Sequence, residues 1–388
     1  MLQKAINIRR KLKFDTQQCV ARLQRAAFRR RCRAAMDRQA ARADVLMGPN
    51  LSLRGGVRNH MVAIRQHSRS NVELFPEDEL TRQVKRGGYL KDFKGVVQEW
   101  GFHGIKLLHT HVDPWLVDFC ASVPSRSFRW VHTYHTLYFE DHWQNGLADW
   151  QRETNRALLD QARRADVCVT VAKWLRDYLA ADHGIETVYI PNGVDVDECE
   201  CGTSTRFFMR YPYLHDFVLY VGSLQQIKNP EGFICLAREM PKIPFVMIGY
   251  NLSEDNMMRK AKCEIPANLY LLGPLPRRQV LDAVAACDAL VMTSLSEGLP
   301  TLAMEGMLLR KPVVVPDVPG CAEVIGSEGC GYIYRRGDIR DLTNKVEAAL
   351  AAPDEIRERA RQRVLAEYDW RVVASQIDNL YESLGAGA

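Results

Sequence analysis

Residues 296–318 read SEGLPTLAMEGMLLRKPVVVPDV. The strand-like run ALVMTSL, 289–295, leads into a Ser-Glu-Gly turn. A helical pattern then covers 300–310, and a second continuous apolar run covers 312–318. Neither run alternates apolar with polar residues. Continuous Val/Ile/Leu/Met strands separated by helices mean a parallel sheet covered on both faces. Two glutamates stand inside this apolar stretch, Glu297 and Glu305, with seven residues between them. Glutamate is rarely fully buried without a partner, so both need a reason to be there.

The same alternation extends outward in both directions. Upstream, strands are expected at 44–48, 71–74, 105–112, 128–135, 166–172 and 187–192, with helices such as 91–103 and 148–164 between them. The run breaks at PNGVDVDECECGT, which is rich in turn formers. A second series then offers strands at 217–223, 245–250, 268–275, 289–295, 312–318 and 331–334. Its helices fit 230–239, 277–286, 300–310, 338–351 and 354–384. The expected fold is α/β: two doubly wound, Rossmann-like domains, 44–195 and 196–369, with a linker near 193–215. A cleft between them, at the carboxyl ends of the strands, is the expected ligand site.

Bulk composition agrees with two domains. The chain has 388 residues, against roughly 150 per domain. Hydrophobic residues make up 47% and charged ones 26%, as in soluble globular proteins. No stretch approaches the ~18 consecutive apolar residues that span a bilayer. The start, MLQKAINIRR, has no apolar core, so no secretory signal is expected. Eleven cysteines lie scattered, an odd count without pairing pattern, which points to a reducing, cytoplasmic compartment. Cys199 and Cys201 have no second Cys/His pair at matching spacing and read as free thiols.

The net charge of +5 hides an asymmetry. Residues 1–44 hold thirteen Lys and Arg against three Asp, a net +10, and the remainder carries −5. Residues 1–43 lack Gly and Pro and read as a separate basic extension of one or two helices. Val20, Leu23, Ala27 and Phe28 recur at helical spacing among arginines. Such a helix can lie on an anionic membrane surface. It can equally pack on the body or on another subunit; nucleic acid is the least expected partner.

Several groups carry chemistry. Gly55-Gly56, after a strand and before a helix, lets backbone approach a ligand, and also suits a plain tight turn. Lys228 lies on a loop after a strand, beside a helix opening at Pro230, where it can neutralise a phosphate or simply face solvent. His109, His111, Asp113, His132, His135 and Glu140 crowd two strand ends. Their spacing matches no zincin motif, and a histidine that hydrogen-bonds a polar ligand is preferred to a metal site. Asp195-Val196-Asp197 falls in the turn-rich linker rather than at a core strand end, where a metal-chelating pair is expected. Near Glu297, the backbone N–H groups of 299–302 point back into the cleft and can hold a phosphate. The two carboxylates would then aim at hydroxyls, as on a sugar joined to a nucleoside diphosphate. Acids near a helix start also favour the dipole, which accounts for Glu297 better than Glu305.

Gly55-Gly56-Val57, His135 in TYHT, PNGVD, YVGSL…KN and the Glu297–Glu305 pair stand in an order that resembles the retaining GT-B glycosyltransferases of family 4, which carry an E-x7-E motif. The likeness covers roughly residues 44–388 and leaves the basic extension outside. It implies that Glu297 contacts the donor sugar and Glu305 the nucleotide ribose. Lys228 would hold the diphosphate, and the Gly55-Gly56 loop would approach it. His135 would lie near the transferred sugar and β-phosphate. Gly298 and the amides of Leu299, Thr301 and Leu302 would form the phosphate cradle. Catalysis would rest on His135, Glu297 and Lys228. No metal or other cofactor would be required, the nucleotide sugar being a co-substrate. The last helix, about 370–388, would cross back to complete the N-terminal, acceptor-side domain.

One departure stands out. Many members have an arginine just after the glycine of strand 217–222, and here there is Ser223. Only a hydrogen bond is assigned to Ser223; Arg54 or Arg58 would substitute, or donor binding would be weaker. The expected enzyme moves a sugar, with retention, from a nucleoside-diphosphate sugar to a lipid-linked or cell-envelope glycan, peripheral on the cytoplasmic face of the inner membrane. Alternatives are a non-catalytic GT-B scaffold subunit, or an epimerase or phosphorylase on the same fold.

Overall fold

The computed structural model describes residues 2–52, 55–143, 145–261, 264–327 and 329–386. All twelve expected strands form, each trimmed to its hydrogen-bonded centre. The first six are β1 (Val45–Gly48), β2 (Val72–Leu74), β3 (Leu107–Thr110), β4 (Arg129–Tyr134), β5 (Val167–Thr170) and β6 (Val188–Tyr189). They build one parallel sheet in the order β2-β1-β3-β4-β5-β6. The other six are β7 (Val218–Val221), β8 (Phe245–Ile248), β9 (Leu269–Gly273), β10 (Ala289–Val291), β11 (Val313–Pro316) and β12 (Tyr332–Tyr334). They form a second parallel sheet, β12-β11-β10-β7-β8-β9. Every residue of β1, β8 and β11 is buried, the outcome of strands covered on both faces.

The second sheet starts at its centre with β7, winds outward through β8 and β9, then returns to place β10 on the other side of β7. The loops after β7 and β10 therefore leave neighbouring strand ends in opposite directions. That is a topological switch point, where doubly wound folds bind ligands. Lys228 follows β7 and Glu297 follows β10.

The chain divides into two units, 1–132 with 164–166 and 378–388, and 133–163 with 167–377. In the first unit the extension is a single helix, Leu2–Arg42. Phe28, Cys32, Ala35, Met36 and Gln39, at helical spacing, are buried, and Phe28 stacks on Tyr89 at 4.4 Å. From 16 to 27 the helix is exposed on all sides. The segment 378–388 supplies Tyr381, whose hydroxyl meets His109 Nδ1 at 2.6 Å, and Asp378, which accepts from Ser68 Oγ at 2.5 Å.

Two local expectations change. The segment 354–384 is two helices, Asp354–Glu367 and Trp370–Ser383, rather than one. Between them Tyr368 O accepts from Val194 N at 2.7 Å, and Trp370 N donates to Val194 O at 3.1 Å. This short parallel bridge takes the backbone groups that a continuous helix would use. The linker 193–215 also holds structure, the helices Val196–Glu200 and Ser204–Arg210. Asp195 caps the first by accepting from Glu198 N at 2.9 Å, so its carboxylate already has a structural role.

Candidate active site

The site is built in the second unit from the loops that follow β7 and β10. After β7, Gly222 and Ser223 lead to a short turn, Gln226–Lys228. Asn229 then takes a left-handed conformation, φ 45°, and the helix Pro230–Glu239 begins. The Lys228 carbonyl accepts from the Tyr220 hydroxyl at 3.2 Å, and Thr293 Oγ1 donates to the Asn229 carbonyl at 2.6 Å. Leu295 N donates to Ile227 O at 2.8 Å. The two loops are thus tied together backbone to backbone.

Lys228 Nζ donates to Glu297 Oε1 at 2.7 Å, and Ser294 Oγ donates to the same oxygen at 2.6 Å. The Glu297 side chain is only 10% exposed, that of Lys228 35%. Burial disfavours the Lys228 ammonium, but the adjacent Glu297 carboxylate outweighs it and holds the lysine above its usual range. Lys228 is therefore charged at any physiological pH. Glu297 is its counter-ion.

The backbone around Gly298 is confined on two sides. A Cβ on Gly298 would lie 2.1 Å from the His135 carbonyl oxygen, and one on Gly320 would lie 2.1 Å from the Gly298 oxygen. Only glycine allows such approach. Trp174 Nε1 donates to Gly298 O at 2.8 Å, and Asn192 Nδ2 donates to Leu299 O at 2.9 Å. Glu323 in turn accepts from the amides of Lys173 at 2.9 Å and Trp174 at 3.0 Å, which fixes the indole's helix. With both carbonyls held, the peptide planes that lead into the helix Thr301–Leu308 are set. Pro300, at the N-cap, has no side-chain hydrogen bond to offer, so among the described residues the first-turn N–H groups, including those of Thr301 and Leu302, are left as donors for an anion.

Glu305 lies in the second turn of the same helix and is buried. Its Oε2 pairs with Arg277 Nη1 at 2.8 Å. Arg277 opens the helix Arg277–Ala286 and also reaches Glu198 Oε2 at 3.2 Å. Burial disfavours its charge, and Glu305 followed by Glu198 more than restores it.

Of the residues singled out in the sequence, His135, Ser223, Lys228, Glu297, Gly298, Leu299, Thr301, Leu302 and Glu305 all belong to the second unit. His135 follows β4 and is buried, with its carbonyl against Gly298. Ser223 is half-buried, and its carbonyl accepts from Gln225 N at 2.8 Å. Gly55 and Gly56 belong to the first unit, where Gly55, at φ 112°, opens the helix Gly56–His67. That φ is one that glycine adopts freely. Of the two arginines expected to replace the missing one, Arg54 lies outside the described residues. Arg58 is held by Asp78 through 2.7 and 2.8 Å contacts and is not a free cation. Ser294, Trp174, Asn192, Gly320 and Arg277 were not foreseen as site residues. Asn192 alone had a signal, its place in PNGVD.

Two family descriptions match the chain: Glycosyltransferase Family 4 over residues 54–198, and Glycosyl transferases group 1 over 214–365. A phosphatidyl-myo-inositol mannosyltransferase of Mycobacterium leprae is 25% identical over 373 residues, covering 85% of this chain and 93% of the relative. A D-inositol 3-phosphate glycosyltransferase of Corynebacterium urealyticum is 24% identical over 73% of each chain. Among solved structures, sucrose-phosphate synthase of Thermosynechococcus elongatus aligns at TM-score 0.72 and 17% identity, over 88% of this chain and 98% of that one. HepE of Anabaena in complex with UDP-glucose aligns at TM-score 0.70 and 17% identity, over 87% and 99%. The paired parallel sheets, the two adjoining family matches and these likenesses lead to one assignment: the chain belongs to the group 1/family 4 glycosyltransferases and has the GT-B fold.

Proposed function

We propose that this glycosyltransferase is a retaining, metal-independent hexosyltransferase that uses a nucleoside-diphosphate sugar and acts on a lipid-linked or cell-envelope glycan. The Lys228–Glu297 pair beside the uncapped start of the Thr301–Leu308 helix carries the reading. An ammonium and helix N–H groups together can meet the charge that develops on a leaving diphosphate. An arriving diphosphate replaces Glu297 as the counter-ion of Lys228. Glu297, still held by Ser294, then accepts from a hydroxyl of the donor sugar. Glu305 accepts from the ribose, and His135 lies by the transferred sugar. The acceptor attacks on the face the diphosphate leaves, and a phosphate oxygen takes its proton, so configuration is retained.

The choice of substrates leans on relatives: the mannosyltransferase acting on phosphatidyl-myo-inositol, a diacylglycerol glucosyltransferase of Acholeplasma laidlawii, and HepE with its UDP-glucose. The test is a panel of nucleotide sugars screened by thermal shift, followed by NMR of the product's anomeric centre with and without EDTA. An α-linked donor should yield an α-linked product, at an unchanged rate in EDTA. An inverted product, or loss of activity in EDTA restored by a divalent ion, would overturn the mechanism.

The basic helix Leu2–Arg42 is read as the contact with an anionic inner leaflet, which makes the enzyme peripheral on the cytoplasmic face. Among the described residues, no helix is long and apolar enough to cross a membrane. On the exposed part of the helix, Leu23 is 66% and Val20 48% exposed. Arg22, Arg30, Arg31 and Arg38 are exposed and pair with no carboxylate among the described residues, whereas Arg25, Arg29, Arg33 and Arg42 do. Removing 2–26 spares the docked Phe28 and should reduce sedimentation with phosphatidylglycerol vesicles. Equal sedimentation of both forms would refute the membrane role.

A further inference from the structure

We propose that Arg277 is a positioning residue for the donor nucleotide: it holds one oxygen of Glu305 so that the other, Oε1, faces the ribose hydroxyls. The inference rests on the reading of Glu305 as the ribose anchor and adds a residue to it.

Three segments distant in sequence meet here. Glu305 comes from the helix that starts at the switch point, Arg277 from the first position of the helix Arg277–Ala286, and Glu198 from the helix Val196–Glu200. Arg277 bridges the two acids, at 2.8 Å to Glu305 Oε2 and 3.2 Å to Glu198 Oε2. Its remaining terminal nitrogen lies 3.9 Å from Cys199 Sγ. The acids are not equivalent. The Glu305 side chain is 8% exposed, that of Glu198 49%. A carboxylate this buried needs a cation at a defined place, and a guanidinium whose Nε is held by Glu198 gives Oε2 a donor at a fixed position, which a single flexible ammonium does less well. Glu198 holds the guanidinium from the solvent side.

Stability alone is a weak reason for such a pair, since well-packed apolar residues at buried sites often serve as well. A ribose presents two adjacent hydroxyls, and a carboxylate accepts from them well only when its position is set in advance. The bridge from Glu198 through Arg277 to Glu305 supplies that setting without touching the diphosphate. Arg277 therefore contributes to the nucleoside half of recognition, and Lys228 to the phosphate half.

Calorimetric titration separates the two halves. UDP and GDP serve as nucleotide probes and inorganic pyrophosphate as the probe without ribose. R277A should weaken the tighter nucleotide about tenfold or more and leave pyrophosphate within twofold. R277K should recover part of the loss, and adding R277A to E305A should cost nothing further. Unchanged nucleotide affinity in R277A would overturn the role of Arg277. So would an equal loss for pyrophosphate, which would mean that the change disturbs the loop as a whole. If E305A binds the nucleotide as wild type does, the ribose-anchor reading itself fails. If only R277A is silent, that reading stands and this inference does not.

Discussion

Lys228 and Glu297, on loops that leave adjacent strands of the second sheet, hold each other at 2.7 Å. Each is thereby the other's partner before any ligand arrives, and in the proposed mechanism an arriving diphosphate exchanges with Glu297 as the counter-ion of Lys228. Removal of either side should have a different consequence. In Glu297→Ala the ammonium loses its internal partner, so a nucleoside diphosphate should bind at least as tightly as to wild type. Turnover of the sugar donor should still fall about 100-fold, as when other preorganised transition-state contacts are lost. Parallel binding and rate measurements check this; a matching loss of both would contradict the exchange.

Gly298→Ala would push a methyl group into the His135 carbonyl, 2.1 Å from where the Cβ must sit. Both partners are backbone, so the loop itself must move. Overpacking of this kind costs about 1–3 kcal/mol. The expected result is a lower thermal midpoint and weaker nucleotide binding, with Gly320→Ala behaving alike. An alanine variant with wild-type affinity would show that the loop is not held as described.

Trp174→Phe deletes the donor to Gly298 O and keeps most of the ring. Its expected cost in stability is about 0.5–1.5 kcal/mol, the net worth of one hydrogen bond. The functional effect should be larger on KM than on kcat, because the indole sets the cradle and not the reacting atoms. Steady-state kinetics with the preferred donor decide; a kcat effect alone would argue against the role.

In the first unit, burial drives His132 down to about 3, and burial with neighbouring His60 and His132 holds His109 well below the usual histidine range. Both remain neutral in the folded chain, while the unfolded chain takes up protons below about 6.5. The stability they contribute is therefore complete above about 6.5 and declines as pH falls. Each adds a slope of about 1.4 kcal/mol per pH unit. Thermal midpoints should drop between pH 7.5 and 5, less steeply in His132→Asn. A flat profile would contradict their burial as neutral groups.

The fold was legible because its strands are apolar runs broken by helices, and a covered parallel sheet leaves that mark plainly. The stretch 296–318 shows it: β11 is buried throughout, and Glu297 and Glu305 are the two glutamates that interrupt the pattern. Lys228 was readable from its place after a strand. What stayed hidden is what holds these groups. Trp174 reaches Gly298 across 124 residues and Asn192 reaches Leu299 across 107, and neither pairing leaves a local pattern. Arg277 lies in LPRRQV, where it reads as one more surface arginine, until Glu305 is seen against it. Arg58, beside two glycines, has an ion pair with Asp78 that the sequence does not announce.

The central claim is that the second unit's switch point, with Lys228 and Glu297 at its mouth, binds and activates a nucleotide sugar. Release of nucleoside diphosphate from the best donor in the panel, compared between wild type and Lys228→Ala, tests it most directly. The account predicts measurable release by wild type and a fall of 100-fold or more in the variant, with the fold retained. Equal rates in the two proteins would contradict it.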